Sequence, residues 1–569
     1  MLGALKMNRL NTLRMIWIIA TGILLFRLIY LQGLQGRTYR NLAEKNRLRL
    51  IVEEAPRGLV VDRQGVVLAT NQTFYRVAII PQELEDLSSI VETLSLLTHQ
   101  PIDRLQENYR KARSLPFLPA TVLTRLSKDQ ALHLEEERWR MPGLLVKPEL
   151  IRSYPLGSTA AHLLGYVSQP NPQELGRLKS LGLSPAGLVG RYGLEQYLET
   201  DLRGQAGGRV VEVDHRARQV RVVDQQLPRA GQPVSLTIDA SLQTLIEQSF
   251  QDQPGACVVL DPWTGEILAM VSVPTFSPAV FSMGETKTIR QLLEDINAPL
   301  MNRATLGVYT PGSILKLISA TAALEHQLIN PSTKISCPGS WTLGDRTFHC
   351  WNRDGHGVLS LSEAIMHSCN VYFLQVGRKL GAVRLLKTLD QAGCSHRTGW
   401  PLGEAAGHLP SRYLTDGEVA MLAIGQGEVL LTPLQAAVMV SAFANGGQKL
   451  TPWVVSKIKD RSVNERHSLH PLGWSAKTIE TVRRGMIAAV GDPSGTAHRA
   501  YDPNVSVAGK TGTAQTHLPG QTHGWFVGFC PVESPRAAMA IVTEHGGSGG
   551  DLPAEIARSI CEYVVAAGI

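Results

Sequence analysis

From Met15 to Leu34 the chain reads MIWIIATGILLFRLIYLQGL, and Arg27 is the only charge in it. At a helical rise of about 1.5 Å per residue this stretch reaches roughly 30 Å, one hydrocarbon thickness, and a long arginine near its outer half extends to the interface. Lys6, Arg9 and Arg14 precede it and no small-x-small cleavage pattern follows, so it reads as an uncleaved anchor with a cytoplasmic N-terminus and the remaining chain outside. Ala55–Asn71 holds two short β-branched runs punctuated by Gly58 and Gly65, the pattern of strand, turn and strand. From about 82 to 149, helical periodicities alternate with proline-rich joints, which predicts an inserted α-rich lobe. GRYGLEQYLETDLRG, ending at Gly204, has an amphipathic helical pattern, and Pro228–Asp239 reads as a linker.

Beyond that linker the period changes. ACVVLDPWTGEILAMVSVP gives two β-rich runs joined by a hairpin signal at Asp261–Gly265, and an apolar, alanine-bearing helix follows Lys316. Three more β-rich runs, SVAGKTGTAQT, HGWFVGFCPV and AAMAIVTEHG, precede a terminal helix. Strands at both ends with helices between predict an antiparallel sheet closed by the first and last segments of the domain, an α+β arrangement. The expected organisation is a tail at 1–14, an anchor at 15–34, a mixed pedestal at 35–235 carrying the lobe, and a second domain at 236–569.

Composition narrows this picture. At 569 residues the chain is too long for one core, and 44% apolar with 18% charged residues suits ordered domains. A net charge of +7 without a basic block gives no indication of a nucleic-acid partner. Seven cysteines cannot all pair, and Cys257, Cys394, Cys530 and Cys561 sit in apolar contexts typical of core cysteines.

Chemistry concentrates in the second domain. Pro311-Gly312-Ser313-Ile314-Leu315-Lys316 reads as a turn breaking into a helix, with Ser313 and Lys316 one turn apart on one face. A lysine kept neutral by burial can take the serine proton, and the helix mouth offers free N–H groups to an oxyanion. Ser456-Lys457-Ile458-Lys459 repeats the spacing without turn or apolar helix and is a chance match. Ser368-Cys369-Asn370, after a helical run, supplies a hydroxyl for proton relay and an amide for a peptide-like substrate. In Lys510-Thr511-Gly512-Thr513, glycine permits close approach to an edge strand, while the lysine and hydroxyls suit a carboxylate. Each short motif is common; the three in this order are not. Cys337, Cys350, His356 and Cys369 also form a competent tetrahedral zinc set, although a Cys337–Cys350 disulfide or simple apolar burial fits the same spacing.

The S-x-x-K, S-x-N and K-T-G triple is the signature of penicillin-binding proteins and related β-lactamases. With the anchor, RGLVVDRQGVVLATN, GLEQYLETDLRG, PGSILK, IGQGEVLLTPLQ, VAGKTGTAQ and HGWFVGFCPV, the whole chain resembles the class B penicillin-binding proteins, most closely the elongation-type penicillin-binding protein 2 branch. The resemblance implies a membrane-anchored peptidoglycan D,D-transpeptidase in which Ser313 attacks the D-Ala–D-Ala carbonyl of a stem peptide, with Lys316 as base. It implies that Ser368 bridges Lys316 and Lys510 and shuttles the proton to the leaving D-alanine, and that Asn370 holds the peptide amide. Thr511 and Thr513 would bind the carboxylate beside Lys510 and Gly512, and the N–H groups of Ser313 and Thr513 would form the oxyanion hole.

β-Lactams would acylate the same serine, and a SEDS-type glycan polymerase and the elongation machinery would be partners at the cytoplasmic membrane. Homologues of this branch carry zinc on the loop, so the resemblance implies zinc on Cys337, Cys350, His356 and Cys369 and no organic cofactor. A division-type transpeptidase, a D,D-carboxypeptidase and a membrane-bound β-lactamase or β-lactam sensor share the core chemistry. The long pedestal and the lack of an assignable E-x-x-N segment weigh against the last of these.

Overall fold

The computed structural model describes every residue except 1, 41–47, 115, 117, 172, 175, 177–186, 215–218, 464–468 and 517–519. A first helix, α1 (Leu2–Ile29), runs into a π-helical turn at Tyr30–Leu34. Asn11–Leu34 is the one span among the described residues long and apolar enough to cross a membrane, and none of it is buried against the rest of the chain. The polar, charged run from Arg37 to Val52 is expected to pass from helix to strand, and its part at 41–47 lies outside the described residues.

The pedestal begins with β1 (Leu48–Glu53), β2 (Val60–Val61) and the long β3 (Val67–Ile79), the last two joined through the Gly65 turn (φ +90°). Helices α2 (Leu87–Thr98), α3 (Ile102–Ala112) and α4 (Lys128–Glu136) form the lobe, but β4 (Ala120–Leu126) and β5 (Leu144–Ser153) lie among them. Both strands pair with β3, so the lobe is a sheet with helices packed on it and is less helical than its periodicity predicts. ALHLEE scores as helix on propensity; the strands on either side are held by the exposed ladder that β3 offers. β6 (Gly207–Val213) and β7 (Gln219–Gln226) complete a separate sheet with β1.

GLEQYLETDLRG folds as two short helical turns broken near Leu198, and its main feature is a buried acid. Glu195, 1% exposed, bonds Arg152 Nε at 2.6 Å and Arg57 Nε at 2.5 Å, while Glu199 takes Arg57 Nη2 at 2.7 Å. A buried charge left without its partner is strongly destabilising. Glu195→Ala should therefore cost the pedestal about 3–5 kcal/mol, read as an earlier melting transition of the full-length chain in detergent. An unchanged melting curve would contradict that assignment.

The expected linker contains a strand. Within it, β8 (Val234–Leu236) runs parallel to β2 and antiparallel to a strand from far along the chain, β11 below, so one sheet crosses from pedestal to second domain. The second domain opens with α5 (Ala240–Ser249), capped by Asp239 accepting from Leu242 N at 2.9 Å, then β9 (Gly255–Leu260) and β10 (Ile267–Val273). After the serine turn come α6 (Lys316–Glu325), α7 (Leu361–Met366), α8 (Asn370–Gln391, broken at Gly381), α9 (Asp416–Ala423) and α10 (Pro433–Ala444). β11 (Val455–Ile458), α11 (Ala476–Gly491), β12 (Ala508–Gln515), β13 (Thr522–Cys530), β14 (Ala537–Thr543) and α12 (Leu552–Ala567) close the domain.

Its antiparallel sheet has the order β10-β9-β14-β13-β12, with the first hairpin and the last three strands meeting as the sequence pattern predicts. Side chains alternate across it. Ala256, Val258 and Leu260 on β9, Trp525, Val527 and Phe529 on β13, and Ala538, Ala540 and Val542 on β14 enter the core with α6, α8 and α10. Cys257 and Val259, Phe526 and Cys530, Met539 and Ile541 enter the opposite core, formed with α5 and α12. A period of two in continuously apolar strands is what a sheet covered on both faces requires.

Cys530 and Cys561 form a disulfide joining β13 to α12, with their Cα atoms 5.9 Å apart. All four cysteines expected in the core are buried there, Cys257 and Cys394 as free thiols; the pairing of Cys530 with Cys561, 31 residues apart and facing the same core, is what the sequence pattern does not show.

Candidate active site

The site sits where α6 meets the free edge of β12. Gly312 to Leu315 forms a 3₁₀ turn that passes into α6 at Lys316, and Ser313 remains half-buried at its mouth. α6 is buried from Lys316 to Ala323, as expected of a helix that is apolar all round. Two glycine contacts let the turn lie on the strand. A Cβ on Gly312 (φ +56°) would stand 2.9 Å from Thr513 O, and one on Gly512 2.9 Å from Pro311 O and 3.1 Å from Ile314 Cγ2. Gly512 therefore admits the protein's own serine turn.

Other segments pin the same turn. Trp525 Nε1 donates to Thr310 O at 3.0 Å, and Gly312 N donates to Gly425 O at 3.0 Å from the IGQGEV segment. Tyr309 donates its hydroxyl to Glu544 at 2.7 Å, and Arg303 Nε bonds the same carboxylate oxygen at 3.0 Å. Sequence reading passed over Tyr309, Arg303 and Glu544. The tyrosine two residues before PG and the acid before the HGG turn are the only local signals.

Lys316 is fully buried, and its Nζ donates to Ser368 O at 2.7 Å, Asn370 Oδ1 at 2.7 Å and Ser368 Oγ at 3.3 Å. Burial lowers its pKa to about 8, against the opposing pull of the Cys369 and Cys350 thiols. Lys510 is equally buried, donates to Thr511 O at 2.8 Å, and is pushed well below the usual lysine range by burial and then by the Lys316 charge. Two buried lysines within electrostatic reach of each other cannot both hold a proton cheaply, so a neutral amine is available one turn after Ser313. Thr511 is buried, Thr513 is exposed on the edge strand, and Asn370 is half-buried.

Ser368 and Asn370 flank the joint between α7 and α8. Ser368 takes a left-handed φ of 52°, uncommon for serine, and the next residue, Cys369, caps α8 by accepting from Tyr372 N at 3.4 Å. Cys369 belongs to a second cluster. The ligand atoms of Cys337, Cys350, His356 and Cys369 all lie within 4.8 Å of one another. His356 Nδ1 stands 3.6 Å from Cys337 Sγ and 3.5 Å from Cys350 Sγ. Cys337 and Cys350 are free thiols here, bonded to neither each other nor Cys369. The Cys350 thiol is held well below its ordinary range, first by a hydrogen bond from Cys369 and then by backbone N–H groups, and Cys369 is raised correspondingly. Trp351 Nε1 ties the loop to His367 O at 2.9 Å.

The second S-x-x-K copy lies elsewhere. Ser456 is on β11 and bonds Ser235 O at 2.9 Å, far from any such cluster.

A half-exposed serine at a helix mouth, a buried lysine one turn on, and an edge strand carrying K-T-G define the penicillin-recognising class of serine acyl-transferases. Residues 255–562 match the penicillin binding protein transpeptidase domain, and residues 52–236 match the penicillin-binding protein dimerisation domain. The peptidoglycan D,D-transpeptidase MrdA of Haemophilus influenzae is 32% identical over 96% of this chain and 90% of its own length. The penicillin-binding protein PBP2 of Helicobacter pylori, solved in complex with MreC, superposes with a TM-score of 0.79 at 28% identity, over 92% of this chain and 99% of that one. A chain of a peptidoglycan synthase complex, solved for its coordination of polymerization and crosslinking, gives 0.76 at 29% identity over 99% and 98%. The chain belongs to the penicillin-binding protein family, in the branch of the MrdA and PBP2 transpeptidases.

Proposed function

We infer that the chain is a serine-type peptidoglycan D,D-transpeptidase that cross-links stem peptides during elongation of the cell wall. The observation that carries this reading is the buried cluster in which Lys316, one turn after Ser313, bonds Ser368 and Asn370 and lies within electrostatic reach of Lys510. Ser313 Oγ attacks the penultimate D-alanine carbonyl and gives its proton to neutral Lys316. The Ser313 and Thr513 N–H groups receive the oxyanion, Asn370 holds the stem-peptide amide, and Thr511 and Thr513 take the terminal carboxylate. Ser368, 3.3 Å from Lys316 Nζ, returns the proton to the departing D-alanine. An amine of a second stem peptide then opens the acyl-enzyme and forms the cross-link.

The anchor holds this domain on the outer side of the cytoplasmic membrane, consistent with the charge before the span. The relatives' solved complexes, one with MreC and one a peptidoglycan synthase complex that coordinates polymerization and crosslinking, support partners in the cell-wall machinery. A SEDS-type polymerase is the partner that the class B resemblance implies for this chain. The test is a cross-linking assay on lipid-linked substrate with the partner polymerase, with and without penicillin. Cross-linked dimers that vanish with penicillin are expected. Release of D-alanine without dimers would identify a carboxypeptidase, and rapid loss of the penicillin label a β-lactamase.

The base assignment has its own signature. Acylation needs Lys316 unprotonated, so the penicillin acylation rate should rise with pH up to about 8 and level off above it. A rate flat between pH 6 and 9 would remove Lys316 from that role.

Zinc fits the cysteine cluster. Three thiol sulfurs and one imidazole nitrogen, one thiol already favouring its ionised form, make a tetrahedral structural donor set. Bound metal would supply rigidity: it would hold the 337–356 loop to Cys369, between Ser368 and Asn370. No step of acyl transfer passes through it. Stoichiometric zinc in the purified chain is the expected measurement, and a mapped Cys337–Cys350 disulfide would refute it.

A further inference from the structure

We propose that Thr496 is a positioning residue of the acyl-transfer site, joining the loop of Ser368 to the strand of Lys510 through one hydroxyl. Thr496 lies after α11, in a segment outside the three motifs. Its N–H and its Oγ1–H both point at Met366 O, at 3.3 and 3.2 Å. Met366 ends α7 two residues before Ser368, and its carbonyl is among those a helix terminus leaves without an intrahelical donor. From the other side, Thr511 Oγ1 donates to Thr496 Oγ1 at 3.0 Å. One side chain therefore touches both the third motif and the helix end that leads into the second.

Thr496 is itself held firmly. Gly495 N bonds Asp492 O at 2.8 Å and Ala497 N bonds Ala489 O at 2.9 Å. A Cβ on Gly495 would fall 2.4 Å from Ala489 O, and one on Gly550 2.6 Å from Thr496 O, so the segment is packed backbone against backbone. The Ser368 loop thus has a grip on either side, besides the Trp351 bond to His367 O. Lys316 Nζ takes Ser368 O at 2.7 Å from inside the pocket, and Thr496 takes Met366 O from the strand side. Ser368 in a left-handed conformation persists only if its surroundings fix it, and these are the surroundings.

The hydroxyl count gives the arrangement a further consequence. Thr496 has one hydroxyl proton and gives it to Met366 O, so it meets Thr511 as an acceptor. Thr511 in turn has one proton, given to Thr496 in the free enzyme and needed by a carboxylate ligand in the complex. Carboxylate binding therefore turns the Thr511 proton away from Thr496 while the Met366 grip remains. Thr496 acts on the rate of acylation through Ser368, and Thr511 on ligand binding. This rests on the acyl-enzyme reading above.

The experiment measures penicillin acylation of the detergent-solubilised full-length chain against penicillin concentration, with melting curves, for wild type, Thr496→Val, Thr496→Ser and Thr511→Val. Thr496→Val is expected to lower the limiting acylation rate about tenfold, the scale of a small misplacement of a proton-relay group, without raising the half-saturating concentration. Thr511→Val should raise the half-saturating concentration. Thr496→Ser should restore the wild-type rate. A wild-type rate in Thr496→Val, a change in half-saturation alone, failure of serine to rescue, or loss of the melting transition in place of slow acylation each overturns the proposal. Absence of labelling in wild type overturns the acyl-enzyme reading as well.

Discussion

Ser313→Ala leaves no penicillin-labelled band in membranes expressing the chain, and cross-linked product falls on the order of 10⁴-fold or more, the scale seen when a catalytic nucleophile is deleted. The loss is chemical and the protein still folds. Ser313 is half-exposed at the mouth of its turn, and the contacts that fix that turn, from Trp525 to Thr310 O and between Gly312 and Gly425, involve no serine hydroxyl. Lys316 keeps its bonds to Ser368 and Asn370 in the variant, so the pocket is intact but has nothing to acylate. Ser456→Ala serves as the internal control, because that serine belongs to a pedestal-joining strand and bonds Ser235 O. It should label like wild type. A band that persists in Ser313→Ala, or disappears in Ser456→Ala, would mean that the S-x-x-K motifs have been assigned the wrong way round.

The catalytic sheet was legible because its strands are short, continuously apolar and bounded by turn residues, as in Asp261–Gly265 between β9 and β10. The three motifs were legible because each places unusual chemistry at a fixed local spacing. What escaped depends on distance along the chain. Cys530 and Cys561 pair because strand and helix face the same core, and nothing in either neighbourhood announces the other. Glu195 looks like one acid in an amphipathic run, and only the fold shows it closed between Arg57 and Arg152. Pro228–Asp239 looks like a linker since its polar, proline- and glycine-bearing start hides a three-residue strand. That strand is recruited by a partner more than two hundred residues away. In the lobe, β4 and β5 owe their conformation to the open edges of β3, which local propensity does not see. The α11–β12 connection carrying Thr496 has no periodic pattern at all, although it touches the third motif and the helix end before the second.

Loss of a proposed zinc ligand is the second large effect, expected as a parallel loss of zinc and of acylation. Cys350→Ser removes one of three thiols from a cluster whose donor atoms lie within 4.8 Å of one another. The remaining donors then sit close together in a buried space with no ion to neutralise a thiolate, so the loop carrying Cys337, Cys350 and His356 loosens from Cys369. Cys369 is the cap of α8 and the neighbour of both Ser368 and Asn370, so its displacement moves the proton relay and the amide-binding group together. A shift of about 1 Å in such groups costs on the order of 10²-fold in rate, and that is the expected fall in penicillin acylation. Zinc content falls from one per chain to a small fraction in the same sample. Chelation of the wild type should reproduce both changes, and added zinc should reverse them in wild type and not in Cys350→Ser. Cys394→Ser, altering a buried free thiol outside the cluster, should change neither. If Cys350→Ser acylates at the wild-type rate with its zinc gone, the Ser368 loop is held by Lys316, Trp351 and Thr496 alone, and the metal has no part in positioning it.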